Sequence, residues 1–179
     1  MRLKGEVAIV TGAARGLGKS YAFRLYEEGA KVVIADILDA TNIAQEINKR
    51  GGEALALYTD VSDERSTKEM VCETVGRFGR VDILINNAAI STTIVKKPFY
   101  EISVQEWDEV MQVNLKGTFL CSKAVYPQMK RQGKGKIINI SSGVFFKGLP
   151  NFIHYVTSKG GIIGFTRALA REVGDDGIC

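Results

Sequence analysis

Tyr155 and Lys159 stand four residues apart in HYVTSKGG, residues 154–161, at the start of an apolar stretch. On a helix that spacing places a phenol and an ammonium on one face, one turn apart. An unperturbed phenol titrates near 10 and is a poor proton acceptor at neutral pH. A cation held about 4 Å away favours the ionised form by on the order of 4 kcal/mol at an effective dielectric near 20, which makes a usable base. For an isolated pair the plain alternative is a surface hydrogen bond, and the surroundings decide between the two. His154 adjoins Tyr155, but neighbouring helical residues point apart, so it is read as structural or pocket-lining.

A second stretch has the composition needed to hold a phosphate. TGAARGLG, Thr11–Gly18, follows one apolar run and opens a helical one. Glycines there allow a tight turn and close approach of backbone to a pyrophosphate, whose charge suits the free N–H groups of a helix N-terminus. Asp36 ends the next apolar run, close to the ~20 residues at which a ribose-binding carboxylate is expected. A carboxylate there accepts hydrogen bonds from ribose hydroxyls and repels a 2′-phosphate. Arg15 in the turn pulls the other way, since a guanidinium suits that phosphate. An acid facing the phosphate at close range outweighs a mobile arginine, so NAD is favoured over NADP as the cofactor.

These groups need elements to position them. VAIVTG (7–12), KVVIAD (31–36), EALALYTD (53–60), VDILINN (81–87) and GKIINISS (135–142) have the β-branched apolar character of strands. Most are apolar on consecutive residues, as in strands covered on both faces. Helical patterns lie between them at about 17–28, 40–50, 63–78, 103–131 and 155–173. The alternation predicts an α/β fold, a doubly wound parallel sheet with helices on both faces (a Rossmann fold), as a single domain over residues 1–179. The chain stops at GDDGIC, where another strand would begin, so a chain lacking its C-terminal strands is expected. Two helices, near 103–131 and 155–173, are apolar around most of their girth. Either a deep core or a partner subunit accounts for that.

Composition narrows the function. At 45% hydrophobic and 25% charged residues, the chain reads as an ordinary soluble globular protein. A net charge of +4, with basic residues scattered apart from Lys130–Lys136, is too mild to imply nucleic acid. Cys72, Cys121 and Cys179 form neither a disulfide framework nor a metal site, which suits a reducing cytoplasm. The first strand begins too soon to leave space for a signal peptide, and no apolar run is long enough for a membrane span. A cytoplasmic protein without membrane or nucleic-acid partners is expected.

The spacing T-G-x-x-x-G-x-G, with NNAA at 86–89, NISS at 139–142 and Y-x-x-x-K at 155–159, resembles the classical short-chain dehydrogenase/reductase (SDR) family. The likeness runs from the first strand to the last residue, with Ala89 standing where the family usually has glycine. The resemblance implies that Gly12, Gly16 and Gly18 form the pyrophosphate turn, with Leu17 close to the cofactor. It implies that Asp60 meets the adenine amino group beside Val61, and that Asn87 and Ala88 pass beneath a ribose. Tyr155 becomes the acid–base residue, with Lys159 aiding it and holding the nicotinamide ribose. Ser142, chosen over Ser141 by the family's usual offset, steadies the substrate oxygen. Asn114 holds a relay water near Lys159. Without the family, Asp60 is a strand-end acid and the asparagines a turn.

The resemblance points to hydride transfer between NAD and a secondary alcohol or ketone, in a homo-oligomer (dimer or tetramer). Val144, Phe145 and Phe146 are candidate pocket walls for an apolar substrate. One alternative is an NADPH-dependent 3-oxoacyl-[acyl-carrier-protein] reductase, whose acidic carrier would dock on Lys130, Arg131 and Arg171. Another, of a different class, is a non-catalytic module that binds a dinucleotide or forms oligomers.

Overall fold

The computed structural model describes all residues 1–179. Five strands, β1 (Val7–Thr11), β2 (Lys31–Asp36), β3 (Ala54–Tyr58), β4 (Ile83–Asn86) and β5 (Lys136–Asn139), form one sheet in the order β3-β2-β1-β4-β5. Every pairing is parallel. The apolar runs have a direct cause in this arrangement. Ile9, Val33 and Leu84 point into one core with Met70, Cys121, Val125 and Met129. Ala8, Val10, Val32 and Ile34 point into another with Ala22, Ile43 and Ile47. Consecutive strand residues serve opposite faces, so both must be apolar.

Helices α1 (Gly16–Glu27) and α2 (Thr41–Lys49) supply the second core. The first takes residues from α3 (Glu64–Phe78), α5 (Gly117–Gln132) and the end of α7 (Ile153–Val173). The single helix expected at 103–131 is α4 (Val104–Met111) running through a π-helical turn, Gln112–Lys116, into α5. GVFFKGLP, the stretch that holds the candidate pocket walls, contains the short helix α6 (Val144–Lys147). The last residues lie along β5: Cys179 N–H donates to Gly135 O (3.0 Å) and Ile137 N–H to Cys179 O (2.8 Å). The helices flanking the sheet hold none long and apolar enough to cross a membrane. From β1 the order runs one way to β2 and β3, the other way to β4 and β5. A crevice therefore opens at the carboxyl ends of β1 and β4, where such sheets bind ligands.

The opposite end of the sheet is clasped by Asp82, whose side chain is fully buried. Its carboxylate takes both arms of the Arg80 guanidinium (2.7 Å each) and the Val7 N–H (2.8 Å). Burial pushes this carboxyl up, but the Arg80 fork, the Val7 N–H and the charges of Arg80 and Lys134 outweigh it and leave it below the usual carboxylate range. A depressed folded-state pKa contributes stability that is present above the unfolded value and lost as pH falls through the folded one. Asp82→Asn should cost about 2 kcal/mol at pH 7. In urea titrations its stability should also fall less steeply than the wild type's below about pH 4.

Candidate active site

The glycine turn sits where β1 and β4 diverge. Gly12 has φ +63°, and a Cβ there would lie 2.7 Å from Ala88 Cα. A Cβ on Gly18 would lie 2.6 Å from Asn87 Nδ2 and 2.8 Å from Ala13 Cα. Only glycine lets the turn, the first turn of α1 and the end of β4 approach this closely. Polar bonds hold them there. Thr11 Oγ1 accepts from the main-chain N–H groups of Asn87 and Ala88 (3.1 Å each), and Asn87 Nδ2 donates to Thr11 O (2.9 Å) and Gly12 O (3.0 Å). Ala89 has no left-handed backbone, so the missing glycine introduces no strain.

A cleft of about 600 Å³ opens over this seam. Its walls bring together Gly12, Arg15, Gly16, Leu17, Gly18, Asp36, Asp60, Val61, Asn87 and Ala88, drawn from four separate stretches of chain. Leu17, 64% exposed in the first turn of α1, is an apolar side chain free to cover a ligand. Asp36 is buried, and its oxygens accept from Ala14 N–H (2.8 Å) and Leu38 N–H (3.0 Å). These two bonds aim the carboxylate at the cleft and brace the turn. Asp60 is held by the N–H (2.8 Å) and hydroxyl (2.7 Å) of Ser62. Val61 meets Gly117, where a Cβ would lie 2.8 Å from its Cγ2.

Tyr155 and Lys159 occupy the first two turns of α7. Lys159 is only 3% exposed. Its ammonium donates to Ile140 O (2.8 Å) just beyond β5 and lies 5.7 Å from the Tyr155 ring centroid. The cation thus spends a hydrogen bond on the main chain while facing the phenol ring. Burial lowers its pKa to about 8. The two serines part company. Ser141 Oγ donates to Lys159 O (2.7 Å) and is committed to seating α7, whereas Ser142 Oγ accepts only a long bond from Val144 N–H (3.4 Å). Asn114, fully buried in the π-turn, accepts from Ile90 N–H (2.8 Å) and donates to Ile90 O and Ser158 Oγ (3.1 Å each). It clips the loop after β4 to α7, a use that a mid-helix asparagine would not otherwise have.

Some site residues escaped sequence reasoning. Ser91, Thr92 and Thr93 line the cleft, and Ser158 receives the Asn114 amide. Thr11 had a signal, a hydroxyl ending a buried strand, but its partners lie more than seventy residues away. Phe152 stacks on Tyr155 with centroids 4.6 Å apart. His154 is fully buried, which decides in favour of the structural reading. Phe145 packs against Gly160, where a Cβ would lie 2.6 Å away, Val144 is half-buried, and Phe146 is 81% exposed.

A buried ammonium costs stability. With the folded pKa near 8 and the unfolded value near 10.5, the unfolded chain binds more protons between them, so stability rises with pH through that window by roughly 3 kcal/mol. Lys159→Met should therefore raise Tm by several degrees at pH 7. That advantage should shrink as pH climbs from 8 towards 10.5 in thermal melts of both proteins.

A family model described as short chain dehydrogenase matches residues 6–179. The 3-oxoacyl-[acyl-carrier-protein] reductase FabG of Staphylococcus epidermidis is 44% identical over 174 residues, 96% of this chain and 70% of that protein. FabG of Staphylococcus aureus is 41% identical over the same shares. The (2S)-[(R)-hydroxy(phenyl)methyl]succinyl-CoA dehydrogenase subunit BbsD of Thauera aromatica is 40% identical, over 99% of this chain and 71% of its own. With the parallel sheet and the glycine turn at its crevice, the match leaves a single assignment: this chain is an oxidoreductase of the short-chain dehydrogenase family.

Proposed function

We propose that the chain interconverts a secondary alcohol and its ketone with NAD, using Ser142, Tyr155 and Lys159. One observation carries this reading: a phenol and a buried ammonium share a face of α7, and Asn114 ties that helix, through Ser158, to Ile90 in the wall of the cleft over the glycine turn. The turn suits a pyrophosphate, because side chains at Gly12 and Gly18 would fill the space beside Ala88 and Asn87. Gly12, Arg15, Gly16, Leu17 and Gly18 would hold that group. Asp36 would hold the adenosine ribose, Asp60 and Val61 the adenine, and Asn87, Ala88, Tyr155 and Lys159 the nicotinamide half. Bound there, the dinucleotide supplies the hydride acceptor or donor.

The chain's own residues handle the proton. Tyr155 takes it from the alcohol, and in reverse returns it to the forming alkoxide. Ser142 has a hydroxyl free to hydrogen-bond the substrate oxygen, since Ser141 is occupied by α7. Lys159 stabilises the ionised phenol by its charge. Asn114 fixes the loop after β4 against α7, and its surroundings are where a relay water would be held. The fixed Asp36 carboxylate favours NAD, since it would repel a 2′-phosphate more than the exposed Arg15 attracts one. Three free cysteines suit a reducing cytoplasm.

The names of the Staphylococcus relatives support a second reading, reduction of 3-oxoacyl thioesters with NADPH. Of the basic residues a carrier would use, Lys130 is already paired with Asp176 (3.2 Å) and Arg131 bonds Gln128 (2.5 Å), which leaves Arg171. For a homo-oligomer, the support is an apolar groove of about 590 Å³ between the π-turn, α5 and α7. It is lined by Met111, Leu115, Phe119 and Phe165, and Phe119 is 46% exposed. A second copy would cover it.

A panel of secondary alcohols, ketones and 3-oxoacyl thioesters, each with both dinucleotides, separates these readings. Tyr155→Phe should lower kcat at least a hundredfold with dinucleotide binding intact. Dinucleotide binding without turnover in the wild type would instead favour a binding module. Asp36→Asn, which keeps an oxygen for the turn, should shift the kcat/KM ratio towards NADPH by roughly tenfold. Phe119→Glu should lower the molar mass in light scattering; an unchanged mass would place the interface elsewhere.

A further inference from the structure

Phe152 has no part in the chemistry above, yet it is the side chain lying against the one that moves the proton. It is buried, 8% exposed, and its ring stacks on that of Tyr155 with centroids 4.6 Å apart and planes inclined by 24°. Three neighbours immobilise it. The Lys96 ammonium lies over the ring at 5.6 Å. The fully buried His154 imidazole meets it nearly edge-on, at 6.0 Å and 84°. Asn151, the only non-glycine residue in the left-handed region (φ +62°), turns the chain so that Phe152 enters the core directly before α7. Its carbonyl accepts from Lys97 N–H (3.1 Å).

Neither ring nitrogen of His154 meets a partner at full hydrogen-bond geometry, although the Phe152 main chain lies near enough to favour its protonated form. Burial lowers its pKa, Glu106 opposes this and Lys97 reinforces it, and Lys97 and Glu106 pair with each other at 2.6 Å. It serves as an uncharged flat wall. Lys96 and Lys97 belong to the loop that begins with Ser91–Thr93 in the cleft wall. That loop therefore grips the Asn151–Phe152 corner through one main-chain hydrogen bond and one cation over a ring. The corner in turn presses on the phenol.

We propose that Phe152 is a positioning residue of the reaction, stacking on the Tyr155 ring beside Lys159 so that the phenol is held at the substrate before substrate arrives. The proposal rests on the reading of Tyr155 given above. Its basis is the ordered sequence Lys96, Phe152, Tyr155, Lys159, in which each member lies over a ring at 4.6–5.7 Å. Tyr155 is half-buried, and a ring free to swing would visit productive geometry only part of the time. Misplacement by about 1 Å can cost a hundredfold in rate.

The test uses the whole chain labelled with 3-fluorotyrosine, the Tyr155 resonance being identified by its loss in Tyr155→Phe. Stacking on Phe152 displaces that resonance through the ring current. Phe152→Leu should abolish the displacement and lower kcat by roughly ten- to a hundredfold, with dinucleotide Kd within threefold of wild type. Phe152→Tyr should restore both. Phe152→Met keeps the volume without a flat face and carries the same expectation if the leucine variant does not fold. The proposal is overturned if the resonance stays in place in Phe152→Leu or Phe152→Met. It is equally overturned if the resonance moves while kcat on the best substrate of the panel stays within threefold. Undiminished turnover in Tyr155→Phe would overturn the reading of the site instead, whatever the spectra show.

Discussion

A lysine ammonium buried against a strand-end carbonyl is the constraint on which the seating of α7 against the sheet depends. Lys159 can be this deep only because Ile140 O accepts from it, and that carbonyl is placed by the pairing of β5 with β4. The same helical turn is anchored by Ser141, which accepts no role at the cleft because its hydroxyl donates to Lys159 O. The fold thereby places a cation next to a phenol in a spot where water cannot fully screen it. Burial works against the charge as well, bringing its pKa to about 8. A buried charge that lowers stability is what a functional site often looks like energetically.

Across the crevice the problem is approach rather than charge. A phosphate can be held by backbone N–H groups only if backbone comes within reach, so the turn after β1 must carry no side chains at Gly12 and Gly18. The Thr11 hydroxyl and the Asn87 amide then join the ends of β1 and β4 into one rigid seam. Asp36 performs two tasks with one carboxylate, bracing the turn through Ala14 and facing the cleft. Asn114 repeats this economy on the other side, where a π-turn brings its amide inward to join Ile90 and Ser158. Wide turns of this sort are frequent at functional sites, since they re-aim one residue without breaking the helix.

How much of this was legible follows from the range of each interaction. The strands were legible because a parallel sheet covered on both faces demands unbroken apolar runs, and VAIVT and KVVIAD supply them. The glycine turn was legible because its glycines are neighbours in sequence. The π-turn was not, since QVNLK has ordinary helical composition and only the close contact of Gly117 with Val61 marks the distortion. The role of Phe152 was not legible either, because an aromatic residue before a helix is equally at home in a core.

By itself the sequence determined the order of elements, the face shared by Tyr155 and Lys159, and the carboxylate at the end of β2, all set by periodicities of a few residues. Tertiary structure alone decided which carbonyl takes the ammonium, what occupies the hydroxyl of Ser141, and which ring lies against the phenol. Those outcomes depend on contacts between residues far apart in the chain, or on which way a side chain turns once its neighbours are packed. A local pattern places side chains on a face, but only the completed packing sets their distances.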